Sequence, residues 1–176
     1  NFRNNLSDIR IAIAGDLHGS WSQDDLDLLL ALNPDGVLFV GDLSDGDLRI
    51  VRAISKISIP TSVILGNHDR GQDGSGVVLK SQLDLLGEKN CSWDLSKWKL
   101  NELSVVGARP CSGGGGFFLT PEVKAVYGEV TLDESVLRIV SAAKSAPLDF
   151  PLLILAHSGP VGLGSESSSP CGRDWK

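Results

Sequence analysis

The chain has 176 residues, of which 41% are hydrophobic and 22% charged, and a formal net charge of −6. That length and apolar content suit one compact, soluble, intracellular domain with a sizeable core, and the acidic balance excludes a broad nucleic-acid-binding face, which needs a basic stripe. No apolar run approaches the ~20 residues of a membrane helix, and no signal-peptide core is visible.

The first strand is expected over 9–14, an apolar run that ends in Gly15-Asp16-Leu17-His18. Ser22, with Asp25 three residues on, has the form of a helix N-cap. Leu26, Leu29 and Leu30 then supply an i, i+3, i+4 inward face, and Asn33-Pro34-Asp35-Gly36 turns the chain. A second strand over 37–40 runs into Gly41-Asp42. Residues 47–56 read as a helix with Ile50, Val51 and Ile54 inward, and Pro60 precedes a third strand over 61–65 that ends in Gly66-Asn67-His68-Asp69.

Residues 70–76 are polar and Gly-rich, a loop, and 78–86 form a short helix. The region 91–109 has a different texture: Trp93, Leu95, Trp98 and Leu100 alternate as in a strand, 103–106 read as another, and strands of mixed direction are expected here. Ser112 to Gly116 holds four consecutive glycines but lacks the Lys-Ser/Thr ending of a P-loop, so it reads as a flexible loop. Thr131 with Glu134 makes a capping box, followed by a stripe of Leu132, Val136, Ile139, Val140 and Ala143. Pro147 stops that helix, and a last strand over 152–156 leads into His157. The tail from Ser158 to Lys176 is rich in Gly, Ser and Pro and contains no apolar run.

Strand and helix alternate through the first half with connections long enough for crossovers, so a parallel sheet core in an α/β fold is expected. In such sheets ligands bind beyond the carboxyl ends of the strands. Four strand endings here carry metal-binding or catalytic side chains, and all three histidines of the chain, His18, His68 and His157, stand at them. Side chains alternate along an extended chain, which would put Asp16 and His18 on one face of a dipeptide step, able to grip one ion together. Asp42 has two carboxylate oxygens and can bridge two ions; Asn67 offers a carboxamide oxygen and His157 an imidazole. Gly15, Gly41 and Gly66 are expected to make the tight turn at each strand end.

Cys91, Cys111 and Cys171 are odd in number and widely spaced, which points to unpaired thiols in a reducing compartment. The chain contains no Met, even at its first position, which leaves room for a targeting segment removed ahead of it.

The motifs Asp16-x-His18, Gly41-Asp42-x-x-Asp45 and Gly66-Asn67-His68-Asp69, followed by the strand-end His157, resemble the calcineurin-like metallophosphoesterases in the family's own order, across residues 14 to 160. The resemblance implies a four-layer αββα sandwich formed by a single domain over 1–176. It also implies a dinuclear centre of two divalent ions (Mn, Fe or Zn), one held by Asp16, His18 and Asp42 and the other by Asp42, Asn67 and His157. The implied reaction is hydrolysis of a small phosphoester, a diester or a monoester, by a metal-bridging hydroxide. His68 would protonate the leaving oxygen and Asp69 would orient His68. Two such ions lower the pKa of bound water and clamp both reacting oxygens, and a positioned imidazole supplies the proton.

The family closes its site with a Gly-His-x-His segment, whereas nothing after His157 contains His. Either the native chain continues past Lys176 with that segment or this is a damaged member of the family; the abrupt Gly/Ser-rich ending favours the first, a chain that lacks its C-terminal segment. Gly41-Asp42-Leu43-Ser44-Asp45-Gly46, and a third motif ending in Asp69, resemble the phosphodiesterase-like side of the family rather than its protein Ser/Thr phosphatases. The phrases around Gly107-Ala108-Arg109-Pro110 and His157-Ser158-Gly159-Pro160 resemble a branch of photosynthetic organisms, which implies a plastid location, in the chloroplast. Arg109, just past a strand end, reads as a surface ion-pair partner, with contact to a phosphate oxygen as the second reading. The alternative function is a non-catalytic scaffold of the same fold that binds a protein partner; retention of His68 speaks against it. A nucleotide-binding Rossmann domain fails because no G-x-G-x-x-G follows the first strand.

Overall fold

The computed structural model describes residues 8–99, 102–113 and 116–159. The expectations for Leu100, Cys171 and the tail beyond 159 lie outside the described residues. Three strands, β1 (Ile11–Ala14), β2 (Gly36–Phe39) and β3 (Thr61–Val63), form one wholly parallel sheet in the order β1-β2-β3. Their crossovers are α1 (Gln23–Ala31) and α2 (Leu48–Ser55), the connection that parallel neighbours require. Helix α3 (Val77–Leu86) follows, and then β4 (Leu95–Trp98) pairs antiparallel with β5 (Leu103–Gly107). Two further helices, α4 (Pro121–Tyr127) and α5 (Leu132–Lys144), lead to β6 (Leu152–Leu155), which runs parallel to β5 and completes a second three-stranded sheet, β4-β5-β6. The fold is α/β with mixed strand directions in its second half. No helix among the described residues is long and apolar enough to cross a membrane.

Local chemistry accounts for the helix starts. Ser22 and Asp25 form a reciprocal capping box at α1, and Thr131 and Glu134 do the same at α5. Asp47 caps α2 by accepting from the Arg49 amide. Each cap satisfies amides that the first turn cannot. Helix α4 carries no capping side chain and begins on Pro121, whose fixed φ suits the first turn; it was not anticipated from the sequence because its seven residues show too little periodicity.

Two apolar clusters organise the interior. In one, Val37, Phe39, Val63 and Leu65 from the first sheet meet Ile50, Val51 and Ile54 of α2 and Leu79 and Leu86 of α3. The other joins the sheets: Leu38 and Ile64 pack with Trp98, Leu103, Val105 and Leu155. The alternation of β2 explains this division, since Val37 and Phe39 point one way and Leu38 the other. A polar pin crosses the second cluster, where the Trp98 indole donates to Ser62 Oγ (2.9 Å), which in turn donates to Ser96 Oγ (2.9 Å).

Two sequence-based expectations about inward faces differ from the structure. Leu30 of α1 is exposed while Leu29 is buried. In α5, Leu132, Val136 and Val140 face outward, and the helix instead seats Ser135 and Ala142. Ser135 Oγ accepts the Trp93 indole N–H (2.8 Å), and Arg138 lies over the Trp93 ring. Close helix–sheet approach selected small residues on that face, a choice that an apolar-stripe argument does not detect. Cys91 and Cys111 are buried free thiols, as their spacing suggested, and burial pushes Cys91 up to about 12.

Because Trp98 is almost fully buried, Ser62→Ala should strand its indole N–H and lower stability by about 1–3 kcal/mol. A denaturation midpoint unchanged by that substitution would show that the pin contributes nothing.

Candidate functional site

The loops that leave β1, β2 and β3 continue to pair after the strands end. Asp16 N–H donates to Gly41 O (2.9 Å), His18 N–H to Asp42 O (3.0 Å) and Gly19 N–H to Leu43 O (3.1 Å), so the first loop is laced to the second. The second is laced to the third through side chains. Asp69, fully buried, accepts from the amides of Leu43 and Ser44 with Oδ1 and of Gly66 with Oδ2, each at 2.9 Å. Asp42 Oδ1 accepts the His68 amide (2.9 Å), leaving Oδ2 to face the site. Behind this, Gln82 of α3 donates to the Asp69 carbonyl and accepts from Ser44 Oγ (3.2 Å). Arg70 donates to the Asn67 carbonyl, with its Nε 3.7 Å from Glu122 of α4.

The turns are made differently from what the glycine pattern suggested. Asp16 (φ 51°), His18 (φ 45°), Asp42 (φ 50°) and Asp45 (φ 49°) are themselves left-handed, so Asp16 and His18 do not form the extended step on which the one-face expectation rested. Of the three strand-end glycines only Gly41 has positive φ (97°). Gly66 is needed for space, because a Cβ there would fall 2.2 Å from Asp42 Oδ1. Gly15 is similarly crowded by Val40.

Six of the seven sequence-derived residues, Asp16, His18, Asp42, Asn67, His68 and His157, come together at one end of the sheets in two sets, and the seventh, Asp69, lies buried behind them. Asp16, Asp42 and His157 each offer a ligand-type atom, all within 4.8 Å of one another. His157 Nδ1 lies 2.7 Å from Val40 O, a group that can only accept, so Nδ1 carries the proton. The lone pair of Nε2 then faces Asp42 Oδ2 at 3.4 Å and Asn67 Oδ1 at 3.2 Å. Converging acceptors with no proton between them repel one another, and a cation relieves that repulsion. An imidazole oriented through its other nitrogen by a backbone carbonyl is also the usual arrangement of a metal-binding histidine. The donor set therefore fits a divalent ion.

The second set is His18, Asp45 and His68, again within 4.8 Å. His18 Nδ1 donates to Asp45 Oδ1 (3.0 Å), and this hydrogen bond raises the His18 pKa, helped by the charges of Asp45, Asp42 and Asp16 and opposed by desolvation. His18 Nε2 lies 3.9 Å from Asp42 Oδ2. The His68 ring meets the His18 ring edge-on at 4.9 Å, and its Nδ1 is 3.9 Å from the same Asp45 oxygen. Asp42 Oδ2 is thus near both His18 and His157, and His157 Nε2 in turn is near Asn67.

The sequence motif contains Asp45 without assigning it a role; its spacing three residues after Asp42 is the available signal. It, rather than Asp69, is the carboxylate beside the His68 ring. Asp69 faces backbone amides, and burial pushes its carboxyl above the ordinary range against the pull of those amides. Among the described residues, Arg109 forms neither the surface ion pair nor a site contact. It donates to the carbonyls of Phe118 (3.1 Å) and Gly116 (3.3 Å) and lies over Phe117, bracing the glycine-rich loop. That loop also reaches the site, since Gly113 packs close to Asn67 and Ser158 Oγ donates to Ser112 O (3.0 Å).

A family model for calcineurin-like phosphoesterases matches residues 9–174, and the chain belongs to that family. No curated protein and no solved structure matches it. Membership implies metal-dependent hydrolysis of phosphoesters as the general chemistry of the fold.

If Asp69 is the brace between the second and third loops, Asp69→Asn must give up at least one of the three amide donors its carboxylate accepts and set an NH₂ against a backbone N–H. A loss of about 1–3 kcal/mol is expected, read from urea denaturation. Wild-type stability in that variant would remove the brace.

Proposed function

We propose that this chain is a single phosphoesterase domain that hydrolyses a small phosphoester at a centre of two divalent ions, with Asp42 shared between them. The observation that carries the reading is that one oxygen, Asp42 Oδ2, lies near both rings, 3.9 Å from His18 Nε2 and 3.4 Å from His157 Nε2. Asp16, His18 and Asp42 would hold one ion, and Asp42, Asn67 and His157 the other. Mixed oxygen and nitrogen ligands suit Mn, Fe or Zn. When bound, such ions lower the pKa of water and offset charge on the reacting phosphoryl oxygens. The two sheets, joined through Trp98 and flanked by helices, are read as the αββα sandwich of this family.

The remaining work falls to side chains of the chain itself. Val40 O fixes the tautomer of His157, and Asp45 fixes that of His18. His68 is bound through its amide to Asp42 while its side chain stays 54% exposed, free to approach a leaving oxygen. It is read as the proton donor, with Asp45 beside its ring and Asp69 holding its loop from behind. Asp69 closing the third motif favours a phosphodiester over a phosphoprotein substrate.

A shared ligand predicts an asymmetry. Asp42→Asn should lower metal occupancy at both positions, and Asn67→Ala chiefly at one, as measured by calorimetric titration with Mn²⁺. Undiminished binding of two equivalents by Asp42→Asn would eliminate the shared-carboxylate arrangement.

His68→Ala should retain its metals yet turn over about 10²–10⁴-fold more slowly. Esters with a nitrophenolate leaving group should be hurt less, because they need less protonation. An equal loss across leaving groups would refute the assignment of His68 as proton donor.

A further inference from the structure

One peptide unit joins Asn67 to His68, and side chains hold both of its polar edges. Its N–H, on His68, donates to Asp42 Oδ1 (2.9 Å). Its C=O, on Asn67, accepts from the Arg70 guanidinium. A trans peptide is planar, with its N–H and C=O pointing in opposite directions, so the two bonds grip the unit from opposite sides. It cannot rotate without breaking one of them. Its plane in turn sets the directions in which the Asn67 carboxamide and the His68 ring leave the backbone.

The two grips differ in origin. Asp42 belongs to the ligand set, whereas Arg70 reaches the peptide from outside it. Behind Arg70 stands Glu122, buried in the first turn of α4, with Oε2 3.7 Å from Arg70 Nε. The other Glu122 oxygen accepts the Gly74 amide (3.1 Å). Arg70 Nε is itself buried and makes no hydrogen bond among the described residues, so Glu122 is its electrostatic partner. A helix start favours a carboxylate, which accounts for the sign of Glu122 but not for an arginine set between it and the Asn67 carbonyl. Stability is also a weak reason for the pair, because apolar residues of similar volume often serve as well as a buried ion pair. What the pair supplies is direction. A cationic donor on one edge and an anionic acceptor on the other polarise the same peptide, and each bond strengthens its neighbour.

We propose that Arg70, seated by Glu122, is a positioning residue of the site. It sets the Asn67–His68 peptide, and through it both the carboxamide offered to a metal ion and the imidazole offered to a leaving oxygen. The inference rests on the two-metal phosphoesterase reading and adds to it a control that lies outside the ligands.

The test has two arms. The first follows amide hydrogen exchange by NMR in metal-free protein. The double variant Arg70→Met/Glu122→Met removes both charges together, so that neither is left buried alone. Its His68 amide should exchange at least fivefold faster, while the amides of Leu43, Ser44 and Gly66, which Asp69 holds, keep their wild-type rates. Unchanged exchange at His68, or equal acceleration at all four amides, would overturn the proposal, the latter by reducing Arg70 to a general structural role. Should circular dichroism show the double variant unfolded, Glu122→Gln, which can still accept from Gly74, is read by the same comparison. In the second arm Mn²⁺ is titrated calorimetrically. The equivalent assigned to Asn67 and His157 should bind about 10-fold more weakly, the size of effect seen when a group orienting a ligand is lost, and the other should keep its affinity. Equal weakening of both, or of neither, would overturn the proposal. A wild-type chain that bound no Mn²⁺ would count against the two-metal reading, while the exchange arm would still decide the role of Arg70.

Discussion

Three backbone amides, from Leu43, Ser44 and Gly66, converge on the carboxylate of Asp69, and the geometry of the site depends on that convergence. The loops after β2 and β3 supply Asp42, Asp45, Asn67 and His68, and a loop outside a sheet has no ladder to hold it. A buried carboxylate accepting three amides replaces the ladder by charge-assisted hydrogen bonds. Burial opposes ionisation, as the raised pKa of Asp69 records, so the brace works against part of its own desolvation cost. Gln82 of α3 and Glu122 of α4, with Arg70 of the third loop, add a second line of contacts behind it. The polar site is thus supported by further polar groups that reach into the helical layer, not by apolar packing alone.

The parallel first sheet was legible because buried strands and capped helices leave strong local signals: the continuous apolar run over 37–40, the Ser22 cap of α1, and an inward face at Ile50, Val51 and Ile54. The residues at the site were legible for the same reason, since each directly follows a strand. What the sequence did not disclose is set by three-dimensional approach. Ser135 and Ala142 face the second sheet because α5 lies close to it, and no apolar periodicity marks small residues. The grouping of ligands was also hidden. The sequence suggests an extended step for Asp16 and His18, but both have left-handed backbone, and it is Asp42 that lies beside each of them. Asp45 and Asp69 exchanged surroundings for a related reason: sequence adjacency placed Asp69 beside His68, whereas its carboxylate turns back into the protein and Asp45 arrives from another loop.

Charge is distributed unevenly around these loops. Asp16, Asp42 and Asp45 concentrate negative charge where cations would sit. The exposed part of that charge, at Asp16 and Asp45, is screened by salt, whereas the buried Asp42 is screened much less.

The left-handed backbone at Asp16, His18, Asp42 and Asp45 has an evolutionary consequence. Among residues other than glycine, Asp, Asn and His are the ones most often found in that conformation, and the same three types are good ligands for divalent ions. Backbone and chemistry therefore filter mutations at these positions through nearly the same set. A descendant that had lost its activity would still be steered toward Asp, Asn, His or Gly there by folding alone, since a β-branched side chain in that region is strained. Persistence of these four residues across a lineage is for that reason weaker testimony to retained catalysis than their persistence at His68 or His157, where the backbone imposes no such filter.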